Sequence, residues 1–157
     1  MSSLHSFEGP LRLALSRLRP RRVVEWGPGL STGIIANHEG VERLHSIEHD
    51  EKWFRRAKEQ FGELPNVRLH LRRSCKRHSR YPWLAVALSR KEGPFDLAFV
   101  DGRRRVECVL AALASVRPGG EVLLHDAERE QYTHLLAAAG IAPREIMEGT
   151  AIFVRVP

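Results

Sequence analysis

Short β-branched runs alternate with amphipathic stretches along most of the chain, and this alternation restricts the possible folds more than any other feature. "RVVEW" (22–26), "RLHSIEH" (43–49), "NVRLHLR" (66–72), "FDLAFVD" (95–101) and "GEVLLHD" (120–126) read as strands. Helical spacing of apolar residues falls between and after them, at 30–38, 51–61, 81–90, 103–116 and 129–139. Strands separated by helices are the pattern of a parallel sheet with crossover connections. After residue 139 the rhythm changes: "PREIME", a turn at Gly149 and "TAIFVRV" predict two strands closing as a hairpin. Five α/β units and a hairpin predict an α/β fold of three layers, with a seven-stranded, mostly parallel sheet and an antiparallel C-terminal hairpin. A leading helix within residues 1–19 carries Leu11, Leu15 and Leu18 on one stripe, and Pro20 should end it.

At 157 residues the chain fits one domain, 1–157, able to bury about two thirds of its unfolded surface. No linker rich in Gly, Ser or Pro divides it. Hydrophobic residues at 43% and charged residues at 28% argue against disorder. No apolar run reaches the ~20 residues of a membrane span. Arg12, Arg17 and Arg19 break up the N-terminal leucines, unlike the core of a secretory signal. The expected compartment is therefore the cytoplasm, with no membrane partner. Cys75 and Cys108 are too few for a disulfide framework or a metal knuckle, and read as structural thiols.

The formal charge of +6 raises the question of nucleic acid, whose phosphates attract such proteins. Of the 25 basic residues 21 are arginine, spread from Arg12 to Arg155, with one denser stretch at 72–80. That dispersal favours a small-molecule substrate over a nucleic-acid partner.

The loop after the first strand, "EWGPGLSTG", holds Gly27, Pro28 and Gly29. In an open parallel sheet, ligands bind beyond the carboxyl ends of the strands, and glycine lets a ligand approach the main chain closely. A pyrophosphate-binding fingerprint needs its third glycine three residues after the second. Here Gly33 follows Gly29 by four, and Glu25 stands two residues before Gly27. A carboxylate there repels a pyrophosphate and suits a cation. Trp26 reads as core.

"EWGPGLST" resembles the first motif of class I S-adenosylmethionine-dependent methyltransferases, and "SIEHD" resembles the second. The resemblance implies a Rossmann-like fold and S-adenosyl-L-methionine as cofactor. By it, Glu25 lies near the cationic methionine end, and the backbone of Gly27, Pro28 and Gly29 passes along the cofactor, with Ser31 and Thr32 beside it. Glu48 would accept hydrogen bonds from the ribose hydroxyls, with His49 adjacent. Many relatives place an acid against the adenine at the third strand's exit. Here Ser74 or Cys75 stands in that place, with Tyr81 or Trp83 to cover the ring.

The segment from Phe95 to Ala127 resembles a narrower branch of small methyltransferases, similar to bacterial O-methyltransferases, with V-D-G-R and H-D at the ends of the fourth and fifth strands. Because Asp101 and Asp126 end neighbouring strands, both should face one crevice, although alternation along the strand would turn either His125 or Asp126 away. Methyl transfer needs alignment and removal of a proton from the nucleophile. Asp101 is expected to position donor or substrate, and His125 and Asp126 are candidates for the base. Metal-dependent relatives hold a divalent ion with an acid and an Asp-Asn pair. Here Ala127 replaces the third ligand, so a metal on Asp101 and Asp126 is not expected unless His125 or water completes it. Of Arg103, Arg104 and Arg105, Arg103 is the most loop-like and is expected to reach an anionic substrate.

The resemblance thus implies O-methylation of a polar or anionic small molecule or sugar. The alternatives are an RNA-modifying methyltransferase, or a cofactor-binding protein without independent transfer activity. With little inserted sequence to form a lid, a homodimer could supply the missing wall, and apolar residues of the first helix are one place for it.

Overall fold

The computed structural model describes residues 7–74 and 80–157. Cys75, one of the two adenine-pocket expectations, lies outside the described residues.

Helix α1 (Glu8–Leu18) leads into the alternating units β1 (Arg22–Trp26), α2 (Leu30–Ala36), β2 (Arg43–Glu48), α3 (Glu51–Phe61), β3 (Val67–Leu71), α4 (Arg80–Glu92), β4 (Phe95–Val100), α5 (Arg105–Ser115), β5 (Val116–Leu124) and α6 (Glu130–Ala138). The hairpin β6 (Glu145–Met147) and β7 (Thr150–Val154) closes the chain. The sheet order is β3-β2-β1-β4-β5-β7-β6, with β7 antiparallel to both of its neighbours and the first five strands parallel. This is the Rossmann-like arrangement expected.

Alternation along the strands sorts the core into two layers. Val23, Leu44, Leu97, Leu123 and Ile152 face α1, α2 and α3, while Val24, Trp26, Ala98, Val122 and Phe153 face α4, α5 and α6. Trp26 is fully buried, and its indole N–H donates to the Tyr81 carbonyl at 3.1 Å. Helix α1 buries Leu11, Ala14 and Leu15 against the sheet, so its apolar stripe belongs to the core and leaves Leu13 exposed. It ends at Arg19, whose left-handed backbone (φ 45°) caps the helix one residue before Pro20. Among the described residues no helix is long and apolar enough to cross a membrane.

Three boundaries differ from expectation, and each matters to the site. The fourth and fifth strands end at Val100 and Leu124, so Asp101, His125 and Asp126 stand on the loops beyond them. Strand β5 begins at Val116, because the "VRPGG" stretch continues along β4 through a register shift near Phe95 and Leu97. Helix α5 begins at Arg105, since Arg104 takes a left-handed conformation (φ 51°) that a helix cannot include.

Candidate active site

The loop after β1 is organised around one buried carboxylate. Glu25 is inaccessible to solvent and accepts hydrogen bonds from the hydroxyls of Thr32 (2.6 Å), Ser46 (2.8 Å) and Ser31 (2.8 Å). Thr32 Oγ1 also accepts from the Gly29 amide at 2.9 Å, so one hydroxyl links the loop backbone to the acid beneath it. Burial pushes the Glu25 carboxyl up to about 7, against the opposing pull of the three hydroxyls. Ser31 and Thr32 thus direct their hydroxyls to Glu25 and hold the loop in shape.

Gly27 and Gly102 bring the loops after β1 and β4 together. Gly27 has φ +87°, and a Cβ there would lie 3.0 Å from the backbone of Asp101 and Gly102. Gly29 faces open space, with no atom within 4 Å of where a Cβ would stand. With no side chain in that space, a ligand can approach the loop backbone closely. Pro28 lies between them, partly exposed.

At the end of β2, Glu48 turns back on its own loop. Its Oε1 accepts from the amides of His49 (2.7 Å) and Asp50 (2.8 Å), with His49 Nδ1 also 2.7 Å away. Among the described residues no donor reaches Oε2. The carboxylate is thus fixed by one oxygen and offers the other. His49 packs edge-on against Tyr81, which is fully buried with its hydroxyl beside Gly102. Tyr81 therefore supports the loop from below, while Trp83 on α4 remains exposed.

Beyond β4 and β5 the structure gathers Asp101, His125 and Asp126, with potential ligand atoms all within 4.8 Å of one another. The anticipated divergence of His125 and Asp126 does not occur. Asp126 adopts a left-handed backbone (φ 55°), which reverses the chain and returns its carboxylate to the imidazole. His125 Nε2 lies 3.3 Å from Asp126 Oδ1. Phe7 packs edge-on against the same ring, with centroids 5.1 Å apart. The Asp126 side chain is 35% exposed and that of His125 only 14%, so the carboxylate stands in front and the imidazole behind. Burial raises the Asp101 carboxyl, opposed by the charges of Arg105 and His125.

A cleft of about 670 Å³ opens beside this cluster, lined by Ser74, Gly102, Arg103, Arg104, Arg105, Arg129 and Tyr132. Ser74 takes its place there, as does Arg103. Glu25, Gly27, Gly29, Glu48 and His49 are not among its lining residues, nor are Asp101, His125 and Asp126. Arg104 pairs with Glu107 at 2.6 Å. It is Arg105, however, that reaches the carboxylates, and sequence reasoning missed it. Its Nη2 lies 3.0 Å from Asp101 Oδ1 and its Nη1 3.1 Å from Asp126 Oδ2. The available signal was its i,i+4 spacing from Asp101. That spacing carries weight only once Arg104 is known to turn left-handed and start the helix at Arg105.

With the geometry in view, comparison with known proteins decides the family. A family described as "Methyltransferase domain" matches residues 24–127, more than half of the chain. The chain belongs to this methyltransferase family. Among curated proteins none matches it in sequence. Among solved structures, a methyltransferase-like protein from Silicibacter pomeroyi is 24% identical, with a TM-score of 0.72, covering 100% of this chain and 89% of its own. The cofactor-bound protein Rv0187 from MTB is 20% identical (TM-score 0.73; 100% and 83% covered). An O-methyltransferase from Bacillus cereus, in complex with SAH, is 18% identical (TM-score 0.67; 98% and 82% covered). At such identities these likenesses establish the shared fold.

The methyltransferase is thus a class I enzyme whose cofactor is S-adenosylmethionine, and its residues suit that ligand. A glycine loop open to close approach, a buried acid beneath it and a half-occupied strand-end carboxylate offer space, acceptors and negative charge, as a cationic ligand with a ribose diol requires. Cys108 is buried, and its Sγ lies 3.3 Å from the Arg103 carbonyl, as befits a structural thiol.

Proposed function

We propose that this methyltransferase methylates an oxygen of a polar or anionic small molecule or sugar. The observation that carries the reading is the Asp101, His125 and Asp126 cluster, joined through Arg105 to an arginine-lined cleft. S-Adenosylmethionine supplies an electrophilic methyl group on a sulfonium. The rest of the task is alignment and proton removal.

In this reading Glu25 provides the negative field under the cofactor's methionine end, with Ser31 and Thr32 fixing its position. The main chain of Gly27, Pro28 and Gly29 runs along the ligand, Glu48 receives the ribose diol on Oε2, and His49 and Ser74 bound the nucleoside. Asp101 positions the reacting groups. Asp126 Oδ2 is engaged by Arg105 and Arg129, which leaves Oδ1 to face the acceptor hydroxyl. The proton passes to Oδ1 and is shared with His125 Nε2 behind it. Arg103, for which no side-chain partner is seen among the described residues, meets an anionic group on the acceptor. If a second copy of the chain completes the wall of the cleft, ultracentrifugation will show a dimer.

Calorimetric titration with S-adenosylmethionine and S-adenosylhomocysteine, followed by a screen of hydroxylated acids, sugars and phosphate esters for a methyl mass gain, tests the reading. Failure of the folded protein to bind either cofactor form would sink it. RNA affinity that persists at ~200 mM salt, with methylation of that RNA, would replace the small acceptor with nucleic acid.

A further inference from the structure

Arg105 is surrounded by oxygen. Its Nε donates to the Gly102 carbonyl at 2.9 Å, its Nη1 to the His125 carbonyl at 2.6 Å and Asp126 Oδ2 at 3.1 Å, and its Nη2 to the Asp101 carbonyl at 3.2 Å. The same Nη2 pairs with Asp101 Oδ1 at 3.0 Å. A guanidinium has five N–H donors in a fixed fork, and here five oxygens stand within reach of them. The side chain is only 10% exposed, and Tyr132 covers it with its ring centroid 5.8 Å from the guanidinium carbon.

These oxygens include the carboxylates that a divalent ion would need. Hard cations such as Mg²⁺ take oxygen ligands, and carboxylates supply most of the attraction. Here Asp101 and Asp126 already face Arg105, and Arg129 adds a second guanidinium 3.1 Å from Asp126 Oδ2. Two negative charges thus meet two positive ones before any ion arrives. A metal would have to displace a buried, fully engaged guanidinium, and breaking such a pair is strongly unfavourable. The cluster has the spacing of a metal site, but its surroundings do not suit a metal.

We infer that Arg105 stands in for a divalent ion, as a built-in cation that ties the ends of β4 and β5 together and positions Asp101 and Asp126 without metal. The inference rests on the reading of this cluster as the transfer centre, yet its test does not depend on turnover. Arg105 acts here as a positioning residue. Its loss should uncover a latent cation site made of Asp101, Asp126 and His125.

The test follows the free Mn²⁺ resonance during titration of chelator-treated protein. Wild type should leave the Mn²⁺ signal unchanged, and S-adenosylhomocysteine binding should be the same with or without EDTA. Arg105→Gln should take up one Mn²⁺, and adding Asp126→Asn should abolish that uptake. Arg105→Lys should restore exclusion, because an ammonium supplies the charge. One Mn²⁺ bound by wild type and lost in Asp126→Asn would overturn the inference. So would a folded Arg105→Gln that takes up none. Should Arg105→Gln not fold, the wild-type and Asp126→Asn titrations decide. If every acceptor fails while wild type excludes Mn²⁺, the transfer reading falls and the metal exclusion stands.

Discussion

The Tyr81 hydroxyl occupies the place that a Cβ on residue 102 would need. Two loops and a helix therefore meet here, for the Gly27 backbone packs on the same Asp101–Gly102 peptide. Gly102→Ala should force Tyr81 or the loop aside. Overpacking of this kind costs about 1–3 kcal/mol. The expected result is a lowered melting temperature and weaker S-adenosylhomocysteine binding, measured by thermal shift and calorimetry. Adding Tyr81→Phe removes the obstructing oxygen and should recover part of both losses.

Glu25 should connect pH to stability and, in the proposed role, to binding. Burial raises its folded value to about 7 from an ordinary 4.5, so the folded protein holds this proton more tightly than the unfolded chain. The stability this contributes is full below about 4.5 and is lost as pH rises through 7. Glu25→Gln should remove that slope and should weaken cofactor binding at pH 8 by ~1.5 kcal/mol or more, as for a lost charge-assisted hydrogen bond. Denaturation and calorimetry between pH 5 and 8 measure the two effects separately. Equal cofactor affinity of variant and wild type would remove Glu25 from the binding role.

A partly buried histidine pair acts in the opposite direction. His45 Nδ1 and His70 Nε2 are 2.9 Å apart, and His45 Nε2 is 3.1 Å from Glu92 Oε2. Burial first, then the charges of His45 and Arg72, lower His70 to about 4. Burial also lowers His45, against the pull of Glu92. In the folded state His70 binds fewer protons than in the unfolded chain between about 4 and 6.5. Its stabilising share is present above 6.5 and lost as pH falls through 4. His70→Asn should flatten this acid limb in urea denaturation, and an unchanged slope would exclude the pair as its source.

Asp126 allows a clean removal of charge, because Asn tolerates its left-handed backbone whereas Ala does not. Asp126→Asn removes the charge that faces Arg105 and Arg129 and should lower the melting temperature while keeping the backbone, and Asp126→Ala should destabilise by about 1 kcal/mol more. If Asp126 receives the acceptor proton, the Asn variant should lower kcat about 10²-fold or more with cofactor affinity retained. Retention of full activity would reassign the base.

Most of the architecture could be read from the sequence because β-branched runs and helical periodicity are local signals. The five parallel strands and the closing hairpin followed from "RVVEW" through "TAIFVRV", and the glycine loop and Glu48 followed from their places at strand ends. What could not be read depended on single backbone dihedrals. Left-handed conformations at Arg104 and Asp126 decide which arginine enters the site and whether His125 and Asp126 converge. Arginine gives no sign of such a conformation, and aspartate only tolerates it. The "VRPGG" stretch resembles a turn locally, and only its pairing with β4 makes it a strand. Glu25 was legible as an acid near the loop. Its hydroxyl partners were not, since Ser46 comes from a neighbouring strand.

Strand β7, which follows β6 in sequence, lies inside the sheet between β5 and β6. The Ala127 amide on the Asp126 loop donates to the Gly149 carbonyl of the hairpin at 2.8 Å. During synthesis every acid, imidazole and guanidinium of the site is therefore made before the strand that braces the β5 edge. The frame of the site thus depends on residues that come after all of its chemistry in the sequence.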